Sequence, residues 1–175
     1  MDTHTAEATM RSRLLPLGTL MVTALNSGLT FAHLLELPGK RRLDATGYLQ
    51  TQQIYRTFGP LGGLMEPGAV AAAAMLAYAD RKNTSSFAPA LLGTGLLASA
   101  LAAWLALVAP VNARFGGWTR DDISSDWQRS RDRWEFAHAA RAVLQVAGLG
   151  ALTYAALSGA RAQSLRERAC ELLWG

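Results

Sequence analysis

No residue between positions 88 and 111 carries a charge. A soluble helix of that length shows a polar face, whereas a helix crossing hydrocarbon needs about 20 apolar residues in succession. Three further stretches repeat the pattern less purely, at residues 14–37, 61–79 and about 136–159, the last being the most polar. Half of the 175 residues are apolar and only 17% are charged, against about 25% in ordinary soluble domains. The spacing between stretches is short to moderate. The expected fold is therefore all-α, an integral membrane antiparallel four-helix bundle over residues 14–160, with polar tails at 1–13 and 161–175.

Local signals divide the spans. Arg11 and Arg13 before the first apolar run resemble a secretory signal, but the run is long and no clear small-residue cleavage site precedes Lys40, so it reads as a retained span. Pro38-Gly39 should close it, with Lys40-Arg41-Arg42 snorkelling among head groups. Residues 44–58 read as an interfacial helix that Pro60 and Gly62-Gly63 interrupt, and Glu66-Pro67 should make the first turns of span two irregular. Span three should stop at Pro110-Val111-Asn112. Residues 114–133 read as an interfacial loop, with Trp118, Trp127 and Trp134 in a head-group belt.

Alanines 98, 102 and 106, and Ala147, Ala151, Ala155 and Gly159, recur at every fourth position. Close helix packing is expected along these stripes, and they could also join two chains as a homodimer. The net charge of +4 comes mainly from arginines in the connecting segments, interleaved with aspartates, so nucleic acid is not an expected partner. Cys170 is the sole cysteine, which excludes an internal disulfide or a cysteine-based metal cluster.

In an up-down bundle the end of span one, the start of two, the end of three and the start of four share one membrane side. That topology gathers His33, Glu36, Glu66, Asn112, Glu135, His138 and Arg141. Asn26, Thr30, His33 and Glu36 form one polar stripe, and Glu135, His138, Arg141 and Gln145 another. Ionisable groups are costly in hydrocarbon, so their convergence reads as a functional site.

Several chemistries fit. His33, Glu36, Glu66, Glu135 and His138 could hold a dinuclear metal, although one carboxylate is missing and one His/Glu motif runs backwards. His33 and His138 could ligate a haem. Without a cofactor, the same groups could form an acid/base site for a lipophilic or aromatic molecule arriving from the bilayer, Arg141 stabilising a phenolate or enolate. A buried ion network, with Arg141 paired to Glu66 or Glu36, would explain them as well.

Four segments carry a family likeness: the run from Phe31 through His33, Glu36 and Pro38 to Lys40; Gln53-Ile54-Tyr55; Pro110-Val111-Asn112; and Arg133-Trp134-Glu135 through His138 to Arg141. Together they resemble the anthrone oxygenase-like family of small four-span membrane proteins, over roughly residues 14–160. The resemblance implies an oxidoreductase. The characterised branch oxidises anthrones to anthraquinones with dioxygen, without an evident cofactor. His138 stands where many members have asparagine, which adds a base or ligand. The His33 to Lys40 motif resembles a bacterial, mostly uncharacterised branch, implying a bacterial plasma membrane. A carrier or accessory subunit with buried structural charges is the competing expectation.

Overall fold

The computed structural model describes residues 3–174. The side chains of residues 1–13, which include Arg11 and Arg13, and of Cys170 lie outside the described ones. Helices α1 (Thr3–Lys40), α2 (Ala45–Ala79), α3 (Thr84–Ala103), α4 (Ala109–Gly117) and α5 (Trp127–Trp174) follow in order, with a π-helical turn, Trp104–Val108, joining α3 to α4. Each of α1, α2 and α5 runs as a helix beyond its expected span, so the segments at 3–13 and 161–174 continue α1 and α5.

Four stretches are long and apolar enough to cross a membrane: Leu14–Lys40, Gly59–Ala79, Thr84–Gly117 and Trp127–Ala162. They pack in a ring, α1 against α2, α2 against α3, α3 against α5 and α5 against α1, which is the antiparallel four-helix bundle. Polar side chains join apolar ones in the interior, while large apolar ones cover the outside. Leu17, Met21, Leu25, Leu92 and Val143 face outward, while Thr19, Thr23, Asn26, Thr30 and Gln145 are buried. Such an arrangement suits lipid, where polar side chains find partners only between helices.

Helix boundaries differ from the sequence expectation in a consistent way. Pro38 lies inside α1, and α2 continues unbroken through Pro60, Gly62-Gly63 and Pro67. A membrane helix tolerates proline because neighbouring groups satisfy the freed backbone. Asp44 and Asn83 cap α2 and α3, accepting from the N–H groups of Gly47 and Ser85 at 2.8 and 3.3 Å. Pro110 does not end span three. Instead the helix widens just before it, the N–H of Ala109 reaching back five residues to Trp104. Pro110 lacks the N–H that would bond the carbonyl of Ala106. That carbonyl accepts instead from Arg133, at 3.2 Å. The helix then runs to Gly117, so the connecting loop spans only residues 118–126.

The seam between α3 and α5 is the tightest in the bundle. It uses Ser86, Ala90, Gly93, Leu97 and Ala100 from α3, all buried. A Cβ on Gly93 would lie 2.7 Å from Leu152 Cγ and 3.0 Å from the Gly148 carbonyl. The expected stripe at Ala98, Ala102 and Ala106 faces outward, as does Ala147, whereas Ala155 is buried and Gly159 sits beside Ser86. Geometry explains the correction. A strict step of four drifts around a helix of 3.6 residues per turn, while alternating steps of four and three stay on one face.

Candidate functional site

The site occupies the bundle end where α1 and α4 finish and α2 and α5 begin. It is built in three layers. The innermost centres on Glu66, which is buried on α2. Its Oε2 accepts from the Arg141 Nη2–H at 2.6 Å, and its Oε1 accepts from the Gln145 Nε2–H at 2.8 Å. The Arg141 Nε–H donates to the Ala100 carbonyl at 3.3 Å, where α3 passes into the π turn. One arginine therefore ties α2, α3 and α5 together. Expanded turns of this kind are frequent at functional sites.

The middle layer is aromatic. The His33 ring meets His138 edge to face, centroids 4.4 Å apart, and also abuts Trp134 and Tyr55. Trp134 stacks on His138 at 3.8 Å, and its indole N–H donates to Asn112 Oδ1 at 2.7 Å, fixing the indole from α4. His138 Nδ1 lies 3.0 Å from the Trp134 carbonyl, which can only accept. Nδ1 therefore carries a hydrogen, and in a neutral imidazole Nε2 holds the lone pair. Among the described residues Nε2 has no hydrogen-bond partner.

The outer layer centres on Lys40. Its ammonium donates to Glu36 Oε2 at 2.8 Å and to His33 Nδ1 at 3.3 Å, and lies 3.7 Å from Glu135 Oε1. It also sits over the rings of Tyr55 and Trp134, at 4.7 and 4.8 Å. The Tyr48 hydroxyl donates to Glu135 at 3.1 Å, and the Tyr55 hydroxyl donates to Glu36. Burial pushes both phenols above their ordinary range, reinforced for Tyr48 by the Glu135 charge and for Tyr55 by its bond to Glu36. Lys40 thus does not snorkel to head groups. It is only 4% exposed, because two carboxylates and two aromatic faces replace its water.

Between these layers lies a half-open cavity of about 370 Å³. His33, Glu66, Asn112, His138 and Arg141, all expected site residues, line it, with Trp104, Phe115, Trp118 and Trp134 as aromatic wall. Pro60 and Pro67 free the carbonyls of Arg56 and Gly63, and both of these residues also line it. Glu36 and Glu135 are not among its walls; they belong to the Lys40 layer.

Sequence reasoning missed three participants. Lys40 is one turn from Glu36 and two from His33, a spacing that pointed inward. The paired glutamates at 36 and 135 also called for a buried cation. Tyr48 and Tyr55 carried no comparable signal, since only folding brings them to the carboxylates.

The expected metal arrangements do not assemble. Among the described residues, no three His, Cys, Asp or Glu side chains converge as ligands. Glu66 is bound to Arg141 and Gln145, and an ammonium stands between Glu36 and Glu135. The two histidine rings touch directly, which leaves no room for a porphyrin plane between them in this arrangement.

Fold and site define an integral membrane protein of four spanning helices with a half-open cavity, lined by ionisable and aromatic side chains, near one end of the bundle. The chain matches no family model, no curated protein and no solved structure.

Proposed function

We propose that the cavity is the active site of a membrane oxygenase acting on a lipophilic aromatic substrate of the phenol or anthrone type. The observation that carries the reading is the placement of His138 and Arg141 on one cavity with an aromatic wall. The volume suits a small molecule. In this reading the substrate reaches the cavity from the bilayer, and His138 Nε2 removes the proton of a carbon acid or phenol. Arg141, whose Nη1 hydrogens have no bond to a described residue, holds the developing oxyanion. Dioxygen is the oxidant. The carbanion adds to it, the peroxide takes up a proton, and loss of water leaves a carbonyl: an anthrone and O₂ become an anthraquinone and H₂O. The likeness to anthrone oxygenase-like proteins supports this substrate class, and a site on the cytoplasmic side of a bacterial plasma membrane is the setting we assign.

The test is oxygen uptake and quinone absorbance with hydroxylated aromatics and anthrones, using the protein in mild detergent. We expect turnover to fall at least about a hundredfold in His138→Ala, the usual contribution of a general base. Unchanged turnover in both His33→Ala and His138→Ala would sink the proposal. The saturation of Glu66 by Arg141 and Gln145 favours one rival, a carrier whose ion pair is structural. Stoichiometric retention of an aromatic ligand with no oxygen uptake by the wild type would select that rival.

A further inference from the structure

A second cleft lies outside the bundle core, between α4 and the first turns of α5. It has a volume of about 220 Å³ and is lined by Val111, Arg114, Asp126, Arg129, Ser130 and Arg133. Three guanidiniums thus face one carboxylate, an excess of positive charge in a confined space.

The partners already taken decide what this cleft can bind. Arg114 Nη1 donates to the buried Ser130 hydroxyl at 3.2 Å and approaches Asp126 at 3.6 Å. Asp126 also accepts from the Ser124 hydroxyl at 2.6 Å. That bond, with Arg114 and Arg129 nearby, holds its carboxyl below the usual range, so it is ionised and neutralises one arginine. Arg133 donates one N–H to the Ala106 carbonyl. Arg129 forms no ion pair with a described residue. The N–H groups of Arg129 and Ser130 are both used by the Asp126 carbonyl, at 3.0 and 3.2 Å. Recognition therefore falls to the guanidiniums of Arg129 and Arg133, which have no carboxylate partner among the described residues.

Position supplies the second argument. The cleft sits where span three ends and span four begins, the level at which head groups are expected. Val111 gives it an apolar side. Planar guanidiniums suit phosphate oxygens through paired hydrogen bonds, and basic pockets between spanning helices bind anionic head groups. We propose that this cleft binds the phosphate of an anionic phospholipid. The site is independent of any reaction in the cavity.

Native mass spectrometry of the full chain, released from micelles carrying phosphatidylglycerol or phosphatidylcholine, tests this. The wild type should retain phosphatidylglycerol preferentially. Arg129→Gln should weaken retention roughly fivefold and Arg129→Gln/Arg133→Gln about thirtyfold, from one and two basic contacts near a charged surface. The single variant guards against misfolding, since the Arg129 side chain makes no hydrogen bond or ion pair with a described residue, while Arg133 holds the Ala106 carbonyl. Arg41→Gln/Arg120→Gln, which removes two exposed charges elsewhere, should leave retention unchanged. Equal retention of both lipids by the wild type, or an equal loss in the Arg41/Arg120 control, would overturn the proposal. Inorganic phosphate added to lipid-depleted protein separates the two sources. Free phosphate binding as tightly as the lipid would overturn the lipid assignment, and binding that is far weaker supports it.

Discussion

Replacing Lys40 by methionine should destabilise the bundle by about 3 kcal/mol, and the structure says where that figure arises. Breaking a buried ion pair by deleting one partner costs about 3–5 kcal/mol, because the other charge is stranded. Two carboxylates lose their cation here, but unequally. The Glu36 side chain is 44% exposed and can rehydrate, so its share is that of a surface pair, about 0–1 kcal/mol. The Glu135 side chain is only 2% exposed, and among the described residues its Oε2 has no hydrogen-bond partner. Its Oε1 keeps the Tyr48 hydroxyl. Nearly all the loss therefore falls on Glu135. The contacts of Lys40 with Tyr55 and Trp134 are replaced by sulfur–aromatic contacts of comparable size, about 1 kcal/mol each, so they cancel to first order.

A double variant isolates the cause. Lys40→Met/Glu135→Gln removes the stranded charge and should recover about 2 kcal/mol of the loss, because a neutral amide in place of the carboxylate avoids the ionic desolvation cost. Equilibrium unfolding in mild detergent, followed by tryptophan fluorescence, measures both variants. A loss below about 1 kcal/mol in the single variant would mean that Glu135 is not an ion held by Lys40, since a protonated carboxyl needs no counter-charge. A double variant less stable than the single would refute the argument outright.

Three other perturbations follow from the same geometry. Gly93→Ala should cost about 1–3 kcal/mol of stability, because the added methyl meets Leu152 and an immovable backbone carbonyl, whereas Gly95→Ala has nothing within 4 Å and should be neutral or mildly stabilising. Glu66→Gln should leave Arg141 buried without its anion and cost about 3–5 kcal/mol in the same unfolding assay; an effect confined to turnover would show that the pair is not structural. Alkaline stability carries its own sign. The folded-state pKa values of Tyr48 and Tyr55 are raised, so above the ordinary phenol value of 10.0 the native state holds protons that the unfolded state has lost. Stability should then fall with rising pH, approaching about 1.4 kcal/mol per pH unit for each tyrosine, and Tyr48→Phe should flatten that dependence from about pH 9 to about pH 11.

The bundle was legible because hydrocarbon imposes long uncharged runs, and topology alone then brought His33, Glu66, Asn112, His138 and Arg141 to one cavity. What sequence could not supply was side-chain commitment. Arg141 had two candidate carboxylates, and choosing Glu66 over Glu36 depends on helix register. Lys40 read as a head-group anchor because it stands beside Arg41 and Arg42, yet it turns inward while they remain exposed. The prolines misled for a related reason. In a loop-rich domain Pro60, Pro67 and Pro110 would mark helix ends, but here the helices run through them: the carbonyl freed by Pro110 accepts from Arg133, and the residues whose carbonyls Pro60 and Pro67 free line the cavity.

The two ion clusters bracket the cavity, and of their groups only Arg141 has a part in its proposed chemistry. The pair of Glu66 with Arg141 joins α2, α3 and α5 at the inner end. The group of Lys40, Glu36 and Glu135, with its two tyrosines, joins α1, α2 and α5 at the outer end. Each charge in these clusters has a partner, which fixes its position and limits its freedom to react. The histidines between them are different. His33 accepts from Lys40 on one nitrogen, and His138 donates to a carbonyl on one nitrogen, so each keeps one ring nitrogen uncommitted by these bonds. Their orientations are set by stacking and by those single bonds, as an acid/base group must be if geometry is to precede proton transfer. Asn112 completes the frame by holding Trp134, the indole on which His138 rests. Loosening that indole should therefore disturb the histidines and the aromatic face under Lys40 while leaving the pair of Glu66 with Arg141 in place, which separates the reactive layer from the inner ion pair.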